Sequence, residues 1–460
     1  MYRPFFIIMK TYKTLLYLLF GALVAGGLYC VFIPELTSLK DPGIFPETGT
    51  ISGNTGAIMI RFPVPMNRET VETRLSIDPA RDFDIVWDES TLQIKPGQAF
   101  PSGSHFEVIL RSGSASKDGR EYKKDFRWSY KIRTPSILYL GNATTAPEVW
   151  KYDFSTGQNT ALTRTEGLVT GLAVGQTGDV ILYSQKNAVG GSDIFKLFRK
   201  EQSPEQLVAC GKETCADPAI SADGRIFAFS RNREPEDGNT SQLFYIYTGL
   251  IDKGEGGITP LVTEKSIPGI LPTFSPDGEK LSFYDSKSQG IRIVNKSGTN
   301  DFLLGTNRTQ HGNWSPDGER FMFVDDEMGQ HSINSRLYVV DIANSTISEP
   351  LKDVLTGKEL GEPDWSPDGK RIAVGIRDEG GPLTRQLAVY DLNTNEVTQI
   401  TDDPTVINAS PEWSPYGGDI VFQQARLGTS NAKPVIALWN AAKKSVTTIA
   451  EDAALPVWLP

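Results

Sequence analysis

Histidine is scarce in this chain: His105, His311 and His331 are the three it has. No Gly-x-Ser-x-Gly elbow occurs anywhere. A Ser-His-Asp hydrolase site therefore lacks its usual parts. Cysteine is as rare. Cys30 lies inside an apolar run, and Cys210 and Cys215 stand five apart in CGKETC. A structural zinc site needs about four ligands, and no second Cys/His cluster supplies them, so neither metal nor cofactor is expected. The Cys210/Cys215 pair would close a small disulfide loop in an oxidising compartment and stay reduced elsewhere. Basic runs are also missing. Lysine and arginine never exceed two in succession, and the net charge is −10. A nucleic-acid binder needs a basic face, so that class of partner is excluded.

What is abundant is turn chemistry. Glycine (43) and proline (29) make up about one residue in six of 460, with no strict period. Hydrophobic content of 39% and charged content of 22% are ordinary globular values. This combination points to an all-β chain of many short strands, and the length allows two or three units.

Residues 14–33, TLLYLLFGALVAGGLYCVFI, form a 20-residue run without charge. A helix of that length spans roughly 30 Å, the hydrocarbon thickness of a bilayer. Arg3, Lys10 and Lys13 precede it, while Glu35 and Asp41 follow. The charge bias predicts a single-pass transmembrane anchor in the cell membrane, with residues 1–13 as a cytoplasmic tail and everything after the anchor extracytoplasmic. A cleaved signal peptide ending near Ala22 to Gly26, or a lipoprotein signal at Cys30, are the alternatives. Residues 34–46 read as a linker.

Residues 47–134 alternate apolar and polar positions by twos, at 57–62, 92–96, 105–110 and 126–130, with turn residues between. The segments FPVPMNRETVETRLSIDP, IVWDESTLQIKP, FPSGSHFEVIL and FRWSYKI resemble the Ig-like domain of bacterial surface-layer proteins (SbsA type). That resemblance implies an Ig-like β-sandwich acting as a spacer or adhesive module, and it carries no chemistry.

From 135 onward the chain repeats itself. PTFSPDGEKLSFYD (272–285), GNWSPDGERFMFVD (312–325), PDWSPDGKRIAVGI (363–376) and PEWSPYGGDIVFQQ (411–424) are near copies, with PAISADGRIFAFSR (218–231) and GLAVGQTGDVILYS (171–184) as weaker ones. The turn glycines Gly178, Gly224, Gly278, Gly318, Gly369 and Gly417 are spaced 40 to 54 residues apart. That is the period of a four-stranded propeller blade. Residues 454–460 match the first strand of a repeat, whereas 137–163 supply strands two to four without a first. Pairing these N- and C-terminal segments predicts a seven-bladed β-propeller closed by its own chain ends; a six-bladed ring is the alternative. The W/F-S-P-D-G units resemble the WD40-like repeat of the TolB-like propeller family. The resemblance covers about 135–460 and implies fold more than function. Propellers of prolyl-oligopeptidase-type enzymes use similar repeats, but there a separate hydrolase domain does the chemistry.

The repeated Asp223, Asp277, Asp317 and Asp368 read as turn residues, since they sit between strands one and two and fall far apart around a ring. The repeated Trp314, Trp365, Trp413 and Trp458 read as inter-blade core. Residues leading into the innermost strands should ring one mouth of the central channel. The polar ones, Asp217, His311, Asn313, Glu362, Asp364, Asn408 and Glu412, are the expected ligand-binding residues; Thr170 and Leu271 hold equivalent places. The expected work is recognition of an envelope protein, a peptide or a glycan at that mouth. An enzyme using acids such as Glu362 and Asp364, and a purely adhesive surface protein, are the rival readings.

Overall fold

The structure, a computed structural model, describes residues 39–460 apart from 52–57, 97–99, 201–202, 234–242, 263–266, 300–301, 329–332 and 429–431. The chain forms two compact units, one built from most of the residues before Ile132 and the other from Ile132–Pro460 with the short stretches 51–55 and 98–104.

The first unit holds two four-stranded antiparallel sheets. One runs Gly43–Phe45, Ile58–Arg61, Thr91–Pro96, Phe83–Asp88; the other runs Gly49–Ile51, Phe126–Ile132, His105–Leu110, Leu75–Asp78. Alternation along Phe126–Ile132 is strict: Phe126, Trp128, Tyr130 and Ile132 are buried and the residues between them exposed. Ile58, Ile60, Leu92 and Ile94 are buried from the other sheet. Residues 43–45, read from sequence as linker, instead form an edge strand paired with Ile58–Arg61.

The second unit is a ring of seven four-stranded antiparallel sheets, not six. Blades one to six are continuous in sequence, with innermost strands Val169–Val174, Cys215–Ile220, Gly269–Phe274, Asn313–Trp314, Lys358–Trp365 and Val406–Trp413. Blade seven is composite. Its innermost strand, Ala453–Leu459, pairs antiparallel with Ser136–Gly141, so Trp458 faces Ile137 and Leu459 faces Ser136. This pairing covers the edge of Ser136–Gly141 that would otherwise stand open to another chain. Each second strand supplies core from both of its faces, as in Phe227–Phe229, Leu281–Phe283, Phe321–Phe323 and Ile372–Val374, all nearly inaccessible. Trp314, Trp365, Trp413 and Trp458 lie in these inter-blade clusters, at most 8% exposed.

Between the first two strands of each regular blade the Ser-Pro-Asp-Gly turn holds itself shut. Ser366 Oγ donates to Asp368 and to the Arg371 carbonyl at 3.1 Å, and it accepts the Arg371 N–H at 2.9 Å. Gly369, with φ +65°, occupies the left-handed position that glycine adopts without strain. Ser275–Asp277 and Ser315–Asp317 repeat the pattern. Cys210 and Cys215 are joined by a disulfide across the connection from blade one to blade two.

The expected transmembrane helix does not belong to the fold seen here. Its residues, 14–33, lie outside the described residues, and among the described residues no helix is long and apolar enough to cross a membrane. The helices present are one-turn segments such as Arg68–Glu72 and Lys352–Leu355. The described fold is all-β, without a membrane-spanning helix.

Candidate functional site

The innermost strands begin with a recurring distortion. In six of them the ladder to the second strand slips, between Val169 and Gly171, Ala216 and Ala219, Ile270 and Thr273, Leu360 and Pro363, Ala409 and Glu412, and Ala454 and Val457. The last five slips each contain an X-Pro pair: Asp217-Pro218, Leu271-Pro272, Glu362-Pro363, Ser410-Pro411 and Leu455-Pro456. A bulge leaves a residue outside the ladder, and proline tolerates this because it has no N–H to leave unpaired. Asp217, Leu271, Ser410 and Leu455 take φ between +48° and +57°. That conformation costs a non-glycine residue about 1–3 kcal/mol, and it persists where the surroundings impose it. The bulge swings the residue before each proline to the channel mouth. One backbone device thus presents an acid, an aliphatic, an acid, a hydroxyl and an aliphatic in turn.

These residues line one cavity of about 670 Å³ along the ring axis. Two sets of prolines bound it, Pro218, Pro272, Pro363, Pro411 and Pro456 from the bulges and Pro276, Pro316, Pro367 and Pro415 from the turns. Of the seven residues named from sequence, Asp217, His311, Asn313, Glu362, Asp364 and Glu412 line it, as do Thr170 and Leu271. Asn408 does not. It is fully buried, and its amide donates to the carbonyl of Arg385 at 2.9 Å and to Thr401 Oγ1 at 3.1 Å. The place expected of Asn408 belongs to Ser410, two residues on. The Ser-Pro pair, matching Glu362-Pro363 and Asp217-Pro218, was the signal for it.

The lining side chains stitch each blade to the next. Asp217 accepts from Ser230 Oγ at 2.9 Å in its own blade and from the Leu271 N–H at 3.4 Å in the following one. Asn313 donates to the Pro363 carbonyl. Asp364 accepts the Trp413 N–H at 2.8 Å, Glu412 accepts the Trp458 N–H at 3.3 Å, and Ser410 Oγ donates to Glu362 at 3.4 Å. The indoles do likewise: Trp458 donates to the Glu412 carbonyl at 3.0 Å and Trp365 to the Asn313 carbonyl at 3.4 Å. His311 Nδ1 lies 2.6 Å from the Gly312 carbonyl, which places the proton on Nδ1.

Asp364 and Glu412 occupy equivalent positions in neighbouring blades. Burial pushes the Asp364 carboxyl up to about 7. Burial and the nearby Asp364 charge push Glu412 up to about 8. Near neutral pH the pair therefore holds a proton, with one oxygen of each carboxyl fixed by a backbone N–H of the next blade. Such a pair can receive or donate a proton, or donate a hydrogen bond to a guest in the channel. The acids at 325–327, on the strand Arg320–Met328, are spent differently: Asp326 pairs with Arg308 at 2.5 Å and Glu327 with Arg336 at 2.8 Å. Among the described residues no group of three or more His, Cys, Asp or Glu is placed to hold a metal ion.

No family model matches the chain. A stretch of 214 residues, 45% of this chain and 45% of the relative, is 29% identical to the Tol-Pal system protein TolB of Francisella tularensis. The propeller is similar to that of TolB. A 27% identical match over 161 residues, 35% of this chain and 21% of the relative, joins it to an uncharacterised peptidase of Bacillus subtilis. The chain spans about half the length, or less, of the curated relatives it matches. Among solved structures, an oligogalacturonate lyase in complex with manganese overlays 88% of this chain and 98% of its own at TM-score 0.50 and 13% identity. A puromycin-hydrolysing peptidase of Mycobacterium tuberculosis covers 90% of this chain and 57% of its own at 0.50 and 14%. At those identities the likeness shows the propeller fold alone.

Proposed function

We propose that the protein is a recognition module whose propeller mouth binds a partner protein or peptide in an oxidising, extracytoplasmic compartment. The observation that carries the reading is the X-Pro ring. An X-Pro ladder slip recurs in five blades, four of them with the presented residue at positive φ, while the presented side chain changes from blade to blade, which is how a rigid scaffold displays a specific surface. The similarity to TolB, named as a Tol-Pal system protein, supports an envelope partner. The Cys210–Cys215 disulfide supports the compartment. In the first unit, the strand orders follow the ABED and CFG sheets of an Ig domain, with a split first strand joining each sheet. This supports an Ig-like spacer. The test is charge reversal: Glu362→Lys and Asp217→Lys should cut capture of a cross-linked envelope partner by the folded protein at least tenfold, with Glu362→Lys, at an exposed residue, leaving the unfolding midpoint in place. Unchanged capture by both variants contradicts the proposal.

A second reading rests on the Asp364/Glu412 pair, whose raised pKa values suit general acid–base work. It predicts turnover of a polysaccharide or peptide by the purified protein, lost in Glu412→Gln. No turnover across such a panel removes it.

A further inference from the structure

Beside the mouth, around residues 359–361 of blade five, three guanidinium groups meet two carboxylates. Arg377 is paired with Glu359, its Nε donating at 2.8 Å. Arg308 is paired with Asp326 and also donates to Ser335 Oγ at 3.0 Å and to the Leu360 carbonyl at 2.9 Å. Arg385 is the exception. Its Nε is buried without a hydrogen-bond partner. Among the described residues its terminal nitrogens have no ion pair or hydrogen bond either.

The fold goes out of its way to put that side chain there. Arg385 lies just before the third strand of blade five, Gln386–Asp391. Its chain crosses the second strand at Gly375 and reaches the innermost strand at Gly361. A methyl group at Gly375 would come within 2.7 Å of Arg385 Cδ, and one at Gly361 within 3.5 Å of Nη1. Two glycines thus form the trough in which the arginine lies, ending at Gly361, the residue before the cavity-lining Glu362. Glu362 itself turns to blade six, where Ser410 bonds it at 3.4 Å. Asn408 fixes the other end, donating to the Arg385 carbonyl from its backbone at 3.0 Å and from its amide at 2.9 Å.

We propose that Arg385 is the anchor for a carboxylate of the ligand that enters the mouth. Three cations against two anions leave one positive charge, and a guanidinium fork matches a carboxylate geometrically. A single carboxylate balances that charge and gives the orphaned Nε–H an acceptor. Burial together with Arg377 and Arg308 already disfavours the charged form of Arg385, so an arriving anion finds an under-compensated cation. The inference rests on the mouth being a recognition site, and it names what the partner must present there.

The test uses the full chain and two probes, sodium acetate and inorganic phosphate, at constant ionic strength. The readout is the Arg Nε–H NMR spectrum and the thermal midpoint. Acetate should shift one Nε–H resonance saturably and raise the midpoint. Both effects should vanish in Arg385→Gln. That variant should be as stable as the parent or more so, whereas Arg377→Gln, which strands Glu359, should lower the midpoint. Arg385→Lys, which keeps the charge without the fork, should bind acetate more weakly. No saturable shift in the parent, or the same shift in Arg385→Gln, overturns the proposal. So does Arg385→Gln lowering the midpoint as far as Arg377→Gln, since a structural arginine would behave that way. Phosphate binding more tightly than acetate overturns the carboxylate assignment. If acetate binds but Glu362→Lys and Asp217→Lys leave partner capture untouched, the recognition reading fails and the anion site stands.

Discussion

The innermost strands have two ends, and they are built on opposite plans. At the turn end, Ser-Pro-Asp-Gly recurs with the same residues and the same hydrogen bonds, as at Ser275–Asp277, Ser315–Asp317 and Ser366–Asp368. At the mouth end the backbone bulge recurs but the residue it carries does not: Asp217, Leu271, Glu362, Ser410, Leu455. Constant side chains on a constant backbone indicate a structural fastener. Varied side chains on a recurring bulge are what the proposed recognition at the channel requires.

Substitutions sharpen the contrast. The largest effect on stability should come from the core between the two ends. Trp365→Ala, at a residue 4% exposed, should destabilise by about 3–5 kcal/mol in urea unfolding. It also removes the ring over which Arg320 lies at 4.7 Å. A loss under about 1 kcal/mol would mean that the tryptophan is not core. Next comes the turn. Ser366→Ala strands the Arg371 N–H and should cost about 1–3 kcal/mol without altering capture by the folded fraction.

The channel acids should give a pH signature. Asp364 and Glu412 are raised in the folded protein, so between the ordinary carboxylate range near 4 and their folded values of about 7 and 8 the native state holds more protons than the unfolded state. Their contribution therefore falls as pH rises through that window. The unfolding midpoint should drop between about pH 5 and pH 9, and the double variant Asp364→Asn/Glu412→Gln should flatten the drop. An unchanged slope would show that the pair is ionised throughout. The smallest stability effect belongs to the mouth: Leu271→Ala and Glu362→Gln should stay within about 0.5 kcal/mol of the parent and still weaken capture.

Much of this was legible from residues alone, because propeller grammar is local. The turn glycines gave the period, and Trp458 at one end with Ile137 at the other gave the composite blade that the strand pairing now displays. Six of the seven residues named from sequence line the cavity, because the innermost strands that carry them are recognisable. The misses have physical causes. Asn408 was named and Ser410 passed over because the bulge shifts the inward-facing position, and a slip of register exchanges the faces of a strand. Arg385 was invisible because its side chain acts across two strands, and Gly361 and Gly375 look like ordinary glycines until the arginine lying on them is seen. The strand at 43–45 was read as linker because three residues are too few to show a period. The membrane span expected at 14–33 lies outside the described residues, and no described helix replaces it.

The most direct test of the mouth is a photo-cross-linking scan of the intact protein in its own cells. A cross-linking amino acid would be placed singly at Asp217, Leu271, Glu362, Ser410 and Leu455, and, for the other end of the same strands, at Asp277, Asp317 and Asp368. The account predicts one discrete adduct from the first set and none from the second. Equal adducts from both ends, or adducts from the turn positions alone, would contradict it.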